Sequence, residues 1–222
     1  MVVTPITRVG IVEDEALMRS MLEQTLSAHE SIRVVHAVPG VSEARLVFTP
    51  GSCDVALLDV NLPDGNGVAL GVTLQRADPR LAIMLLSSED VMGLFTTVQE
   101  QASRPWSYLS KRSSFARDVL VRAVVATAHG QVVLDPYLVQ RSTPRPGTAV
   151  SELTPAQFGV LRLVAEGLSN SAAGERLGIN ERSVESHLKT VYQRLGIDGA
   201  GHNRRVAAVL AFLEQTGRSW RA

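Results

Sequence analysis

The sequence predicts an α/β domain followed by an all-α one, and three observations predict it. Short apolar runs alternate with helically spaced apolar positions over residues 1–128. Arg141–Thr148 is then rich in Pro, Gly, Ser and Thr and has no apolar period, and beyond Thr154 every apolar pattern is helical. Strands alternating with helical stretches imply βαβ units, a parallel sheet and right-handed crossovers. Five such repeats make a small, doubly wound domain with a five-stranded parallel sheet. The expected division is an α/β domain over 1–128, a linker over 129–150, and a helical domain over 151–222. At 222 residues and 45% hydrophobic content, two small cores can be filled.

Each element has its own signal. Val9-Gly10-Ile11-Val12 is a short apolar run followed at once by Glu13-Asp14-Glu15, after which Leu17, Met18, Met21, Leu22 and Leu26 recur at helical spacing. Ile32–Val38 is β-branched and strand-like, and Ser42–Phe48 is helical. Val55-Ala56-Leu57-Leu58 is a continuous apolar run, as expected of a strand covered on both faces. It ends on Asp59, and Pro63, Asp64, Gly65 and Gly67 are turn chemistry. Gly67–Gln75 predicts a helix stopped by Asp78-Pro79. Leu81–Leu86 ends at Ser87-Ser88, and Trp106–Leu109 ends at Lys111. Ser113–Ala128 predicts a helix with Phe115, Val119, Leu120 and Val124 on one side, and His129–Val139 reads as a short extension of this domain.

Composition narrows the function classes. Lys+Arg and Asp+Glu balance at 22 each, so net charge does not announce a nucleic-acid binder. Cys53 is the only cysteine, which excludes a disulfide framework and a cysteine metal cluster. No apolar segment approaches the ~18 residues of a membrane span. The start of the chain lacks a basic stretch followed by an apolar run and cleavage site. The expectation is a cytoplasmic protein with no membrane partner.

The chemistry lies at the strand ends. Glu13 and Asp14 follow the first strand, Asp59 ends the third, Ser87 the fourth and Lys111 the fifth. In a parallel sheet these residues share one edge, where open α/β sheets bind ligands. Three carboxylates there repel one another unless a cation joins them, and few carboxylates with oxygen donors suit Mg²⁺. Lys111 and Ser87 supply the charge and the hydroxyl that phosphoryl oxygens need. Taken alone, Asp59 reads first as a helix cap or a surface aspartate, and Tyr108 reads equally well as a packed aromatic. A dinucleotide site is excluded because Gly65-x-Gly67-x-x-x-Gly71 has the wrong spacing and follows the third strand. A haloacid-dehalogenase phosphatase would want a second aspartate at position 61, which is Asn61.

Val12-Glu13-Asp14, Asp59-x-x-Leu62-Pro63-Asp64-x-x-Gly67, Ser87 and Tyr108-Leu109-x-Lys111 together resemble the receiver domain of two-component response regulators, a flavodoxin-like fold, over residues 7–128. The resemblance implies that Asp59 accepts a phosphoryl group from a sensor histidine kinase. It implies that Asp14, Asp59 and the backbone carbonyl of Asn61 hold Mg²⁺, with Glu13 acting largely through a bound water. Ser87 and Lys111 would grip the phosphoryl oxygens, and Tyr108 would change rotamer with them. One stretch departs from the family: Gln101–Ser107 replaces a Gly-Ala-x-Gly-like segment before the fifth strand, on the face used for switching.

The second half reads as three helices and a fourth. Thr154-Pro155 starts the first, with Phe158, Leu161, Val164 and Leu168 on its apolar face. Ser169-Asn170 caps a short second helix closed by Gly178. Asn180 caps a third, with Glu181 in its first turn and Val184, Leu188, Val191 and Leu195 as its seam. The tight Gly178-Ile179-Asn180 turn suits a helix-turn-helix, although a three-helix protein-contact module would show the same seam. Leu153-Thr154-Pro155, Ala165-Glu166-Gly167-Leu168-Ser169-Asn170, Ser183-Val184-Glu185-Ser186-His187-Leu188 and Leu195-Gly196-Ile197 resemble the LuxR-type helix-turn-helix over residues 151–213. Both halves together resemble response regulators of the NarL/FixJ group, whose last helix, here Arg204–Leu213, usually pairs DNA-binding domains.

Opposite the seam, the third helix carries Arg182, Ser183, Glu185, Ser186, Lys189 and Gln193, the expected contacts to double-stranded DNA. His187 reads as a packing or internally bonded residue. Many relatives have Lys where Glu185 stands. Residues 151–222 hold nine basic against seven acidic side chains, so a modest salt slope is expected. The expectation is a phosphorylation-activated transcription regulator, not an enzyme, that forms a homodimer when phosphorylated. The alternatives are the same architecture working without phosphorylation, and an autoinducer sensor, which would not need the strand-end acids and Lys111.

Overall fold

The computed structural model describes residues 6–89, 92–99, 102–198 and 203–218. The chain divides into two units, residues 1–130 and 131–222.

The first unit has five parallel strands: β1 Thr7–Val12, β2 Ile32–Val38, β3 Val55–Asp59, β4 Ala82–Ser87 and β5 Ser107–Ser110. Their order is β2-β1-β3-β4-β5. The order reverses between β1 and β3, and a crevice at such a switch point is where open α/β sheets hold ligands. Glu13 follows β1 and Asp59 closes β3, so both acids stand at that crevice. The helices are α1 Ala16–Ser27, α2 Val41–Val47, α3 Gly67–Ala77, α4 Met92–Gln99 and α5 Arg117–Ala128. Every residue of β3 and β4 is buried. This explains their unbroken apolar runs: a strand covered on both faces has no solvent side on which to alternate. Cys53, just before β3, is sealed in beside Phe48, and burial pushes its thiol up to about 11.

The structure departs from the sequence reading in two places here. No element was expected between Ser88 and Gln101, yet α4 lies there with Phe95 and Val98 buried. The helix expected over 113–128 is broken. Ser110 accepts the Ser113 N–H and starts a single turn, Lys111–Ser114, and the backbone is extended at Ala116 before α5 begins. The break leaves Phe115 67% exposed instead of on the apolar face, which is formed by Leu120, Ala123 and Val124.

The second unit contains α6 Pro136–Arg141, β6 Ser142–Pro144, a short 3-10 turn Ala149–Glu152, α7 Pro155–Ala165, α8 Asn170–Leu177, α9 Glu181–Arg194, α10 Arg204–Gln215 and β7 Thr216–Arg218. The linker expected over 129–150 is thus largely ordered. Val132, Val133, Leu134 and Val139 are buried, the Leu134 N–H donates to Ala165, and Arg162 donates to the Gln140 carbonyl at 2.6 Å. Asp135 caps α6 through the N–H groups of Tyr137 and Leu138. Residues 131–139 therefore do not extend the first unit. The polar segment that followed is half of a strand pair: β6 runs antiparallel to β7, with Ser142 opposite Arg218. The unit is helical with that one added ribbon.

Within it, Thr154 and Gln157 form a reciprocal capping box at the start of α7. Phe158 stacks on Phe212 of α10 with ring centres 5.9 Å apart. Gly178 ends α8 at φ +68°, a left-handed conformation that a side chain would strain. Asn180 then accepts the Ser183 N–H at 2.8 Å and starts α9, whose buried side is Val184, Leu188 and Val191. Leu195, expected to complete the seam, is instead the half-buried residue that ends the helix.

Candidate functional site

The carboxyl edge of the sheet brings together residues far apart in sequence. Glu13 and Asp59 are buried, with 0% and 3% exposure, while Asp14 beside them is exposed. One carboxylate oxygen from each lies within 4.8 Å of the others. Lys111, carried there by β5, joins two of them: its Nζ donates to Glu13 Oε1 at 2.7 Å and to Asp59 Oδ2 at 2.8 Å. Asp59 Oδ1 accepts the Asn61 N–H at 3.2 Å. Burial raises the pKa of Glu13 and of Asp59, although the hydrogen bonds from Lys111 pull the other way. Burial alone would lower Lys111, but its bonds to Asp59 and Glu13 outweigh this and leave it raised. The result is one lysine amine shared between two buried carboxyls.

A divalent cation fits this set. Glu13 Oε2 is buried and has no hydrogen-bond partner, an unpaired acceptor of the kind a cation or its water satisfies. The donors are all hard oxygens, and the exposed Asp14 leaves the cluster open to solvent.

Ser87 and Tyr108 meet at the main chain of Glu89. The Ser87 hydroxyl accepts the Glu89 N–H at 3.0 Å, and the Tyr108 hydroxyl donates to the Glu89 carbonyl at 2.9 Å. Tyr108 is 1% exposed, with its ring 5.8 Å from that of Phe95. The stretch that departs from the family pattern has a role in packing. Gln99 of α4 bonds the Trp106 main chain at both its N–H and its carbonyl, and Gln75 accepts from the Trp106 indole. Arg104 closes the end of α5 by donating to the Thr127 and Ala128 carbonyls. Gln101 itself lies outside the described residues.

Gly67 opens α3 directly behind the site. A Cβ there would lie 1.8 Å from the Asp59 carbonyl oxygen, so the helix approaches the strand end as closely as it does only because position 67 has no side chain. Both atoms that would collide belong to rigid main chain or are bonded to it, which leaves no flexible side chain to give way.

In the second unit, α9 presents Arg182, Glu185, Ser186, Lys189 and Gln193 to solvent. Ser183 is different: it is half-buried and its hydroxyl donates to Asn180 Oδ1 at 3.0 Å, so it serves the cap. A cleft of about 510 Å³ lies against this helix, lined by Asn170, Glu185, Leu188, Lys189, Tyr192 and Arg204. The reading of the sequence did not place Asn170, Tyr192 or Arg204 at this surface. Arg204 lies over the Tyr192 ring at 5.2 Å, and Arg205 holds Asn170 and the Leu168 carbonyl. The signal for them was the Arg204-Arg205 pair following the capping Asn203.

The response regulator receiver domain family matches residues 9–125. The chain belongs to that family. The bacterial regulatory proteins of the luxR family match residues 151–211, which places the LuxR-type helix-turn-helix after the receiver. Among curated relatives, the nitrate/nitrite response regulator NarP of Escherichia coli is 29% identical over 95% of this chain and 96% of its own. The nitrate/nitrite response regulator homolog of Haemophilus influenzae is 28% identical, covering 94% and 97%. The activator DevR/DosR of Mycobacterium tuberculosis is 28% identical, covering 92% and 93%. Among solved structures, the Salmonella typhimurium response regulator RcsB shares the fold with a TM-score of 0.53 at 20% identity, covering 95% of this chain and 99% of its own. The response regulator therefore joins a receiver to a DNA-binding domain of the LuxR type. No helix among its described residues is long and apolar enough to cross a membrane.

Proposed function

We propose that this response regulator is a phosphorylation-activated transcription regulator in which Asp59 accepts a phosphoryl group from the phosphohistidine of a sensor histidine kinase. The observation that carries the reading is the meeting of Glu13, Asp14, Asp59 and Lys111 at one strand edge. A carboxylate oxygen of Asp59 attacks phosphorus, the P–N bond breaks with its electron pair leaving on the imidazole, and an acyl phosphate forms. Asp14, Asp59 and the Asn61 carbonyl would hold Mg²⁺, with Glu13 acting largely through a bound water, and the bound ion would screen the charge of nucleophile and phosphoryl oxygens. Lys111 gives up its bond to Asp59 and takes a phosphoryl oxygen. Ser87 donates its hydroxyl to another, and Tyr108 follows through the Glu89 main chain. The only chemistry proposed modifies the protein itself, so the chain is read as a regulator and not as an enzyme.

Intact mass after incubation with acetyl phosphate and Mg²⁺ tests this. One phosphoryl adduct is expected, lost without Mg²⁺ and lost in Asp59→Asn. No adduct on folded protein would favour a regulator of the same architecture that works without phosphorylation.

In the DNA-binding half, Arg182, Glu185, Ser186, Lys189 and Gln193 are proposed to face double-stranded DNA, with Ser183 supporting them through the cap. Glu185 is suited to accept from cytosine N4, and Arg182 and Lys189 to contact guanine or phosphate. Phosphorylation would favour a homodimer on paired half-sites. Arg182→Ala is expected to weaken binding and, if Arg182 contacts phosphate, to reduce the salt slope by about one. DNA titrations at several salt concentrations read this, and a slope unchanged by the substitution would exclude the phosphate contact.

A further inference from the structure

The loop between β3 and α3 is a miniature hairpin. Asn61 and Leu62 pair antiparallel with Asn66 and Gly65, leaving Pro63 and Asp64 at the tip. Pro at the second position and Gly at the fourth are what a type I turn favours. The base of the hairpin is fixed: the Gly67 N–H donates to Val60, the Asn66 side chain caps α3, and Leu62 is buried. The tip is fixed by a contact with a different element. Helix α2 begins after Gly40, which has no side chain to cap it. The cap comes instead from Asp64, whose Oδ1 accepts the Val41 N–H and whose Oδ2 accepts the Ser42 N–H, both at 2.8 Å. The fit depends on Gly40, because a Cβ at that position would sit 2.7 Å from Asp64 Oδ1.

We propose that Asp64 is a positioning residue for the metal and phosphoacceptor site. By tying the hairpin tip to the start of α2, it holds Asn61, whose carbonyl is proposed to ligate Mg²⁺ and whose N–H bonds Asp59 Oδ1. This rests on the reading of Asp59 and Asn61 given above. The two backbone N–H groups hold the Asp64 carboxyl at about 2, so the tether stays intact across the working pH range. Removing it leaves the hairpin held at its base alone, so the two-residue strand that begins at Asn61 loses the restraint at its far end.

The test compares Asp64→Ala and Asp64→Asn with the unaltered full chain in three measurements: Mg²⁺ binding by calorimetry without phosphodonor, labelling rate from acetyl phosphate against Mg²⁺ concentration, and urea midpoint. Asp64→Ala is expected to weaken Mg²⁺ binding about tenfold, as loss of a partner that orients a metal ligand does. The half-saturating Mg²⁺ for labelling should move by the same factor while the maximal rate changes little. Asp64→Asn keeps one acceptor and should fall between; it decides the matter if the alanine variant does not fold. A lower urea midpoint with unchanged Mg²⁺ affinity would reduce Asp64 to a helix cap and overturn the proposal. If the unaltered chain binds Mg²⁺ but takes no phosphoryl group, the phosphoacceptor reading fails, and calorimetry still decides the role of Asp64. If it binds no Mg²⁺, both fall.

Discussion

Replacing Lys111 with methionine is expected to destabilise the receiver by about 3–5 kcal/mol near pH 8, and by less as the pH falls. The methionine occupies similar volume but leaves Glu13 and Asp59 buried side by side without their shared cation. Both carboxyls already titrate above their ordinary values because of burial, and losing Lys111 raises them further. A carboxyl whose folded pKa is raised binds its proton more tightly in the folded state. Stability therefore falls as pH rises through the window between the unfolded and folded values, and returns as pH falls and the groups protonate. Asp54, Asp64 and Asp78 have the opposite sign, since their pKa values are depressed and their contribution disappears only in strong acid. Urea midpoints of the variant and the unaltered protein between about pH 5 and pH 8 check this. Millimolar Mg²⁺ should recover part of the loss near pH 8 by replacing the missing charge. A deficit equal at both ends of the range would mean that Lys111 matters for packing alone.

A fragment starting at residue 131 should fold as a stable unit, and one starting at residue 151 should melt at least ~10 °C lower or not cooperatively at all. The difference is Val132, Val133, Leu134 and Val139, all buried, together with the Leu134–Ala165 hydrogen bond and the β6–β7 ribbon. Losing a single buried aliphatic side chain costs about 2–5 kcal/mol, and about 1 kcal/mol moves the melting point of so small a domain by about 4–8 °C. Calorimetric scans of the two fragments decide it. Equal melting points would show residues 131–150 to be a passenger. The comparison matters for DNA binding, because a fragment trimmed to the family's matched residues would lose affinity through instability alone.

The sheet and its site were legible because their signals are local and strong. The strands Val55–Asp59 and Ala82–Ser87 are apolar without alternation, as strands covered on both faces must be, until their last residues, Asp59 and Ser87, which belong to the proposed site. Parallel pairing then places those ends together whatever the intervening sequence. Less was legible where structure depends on partners distant in the chain. Val132–Leu134 looks like a short apolar leftover, and only the carbonyl of Ala165, some thirty residues on, gives it a place. The polar stretch from Arg141 has no period because a two-stranded ribbon of three-residue strands is too short to show one. Likewise Asp64 reads as a turn residue, and nothing near it announces that it caps a helix 23 residues earlier. Helix α4 escaped because it is only eight residues long, too short for its apolar positions to establish a helical period.

Cys53 has a practical consequence. It is the chain's one thiol, 4% exposed, and its pKa of about 11 leaves almost no thiolate at neutral pH, so alkylating reagents and mild oxidants should pass it by. The protein thus provides a silent background for single-cysteine labelling without first removing a native residue. A dye or spin label placed on an exposed position such as Arg112, and another on Gln193, would report independently on each domain under native folding conditions.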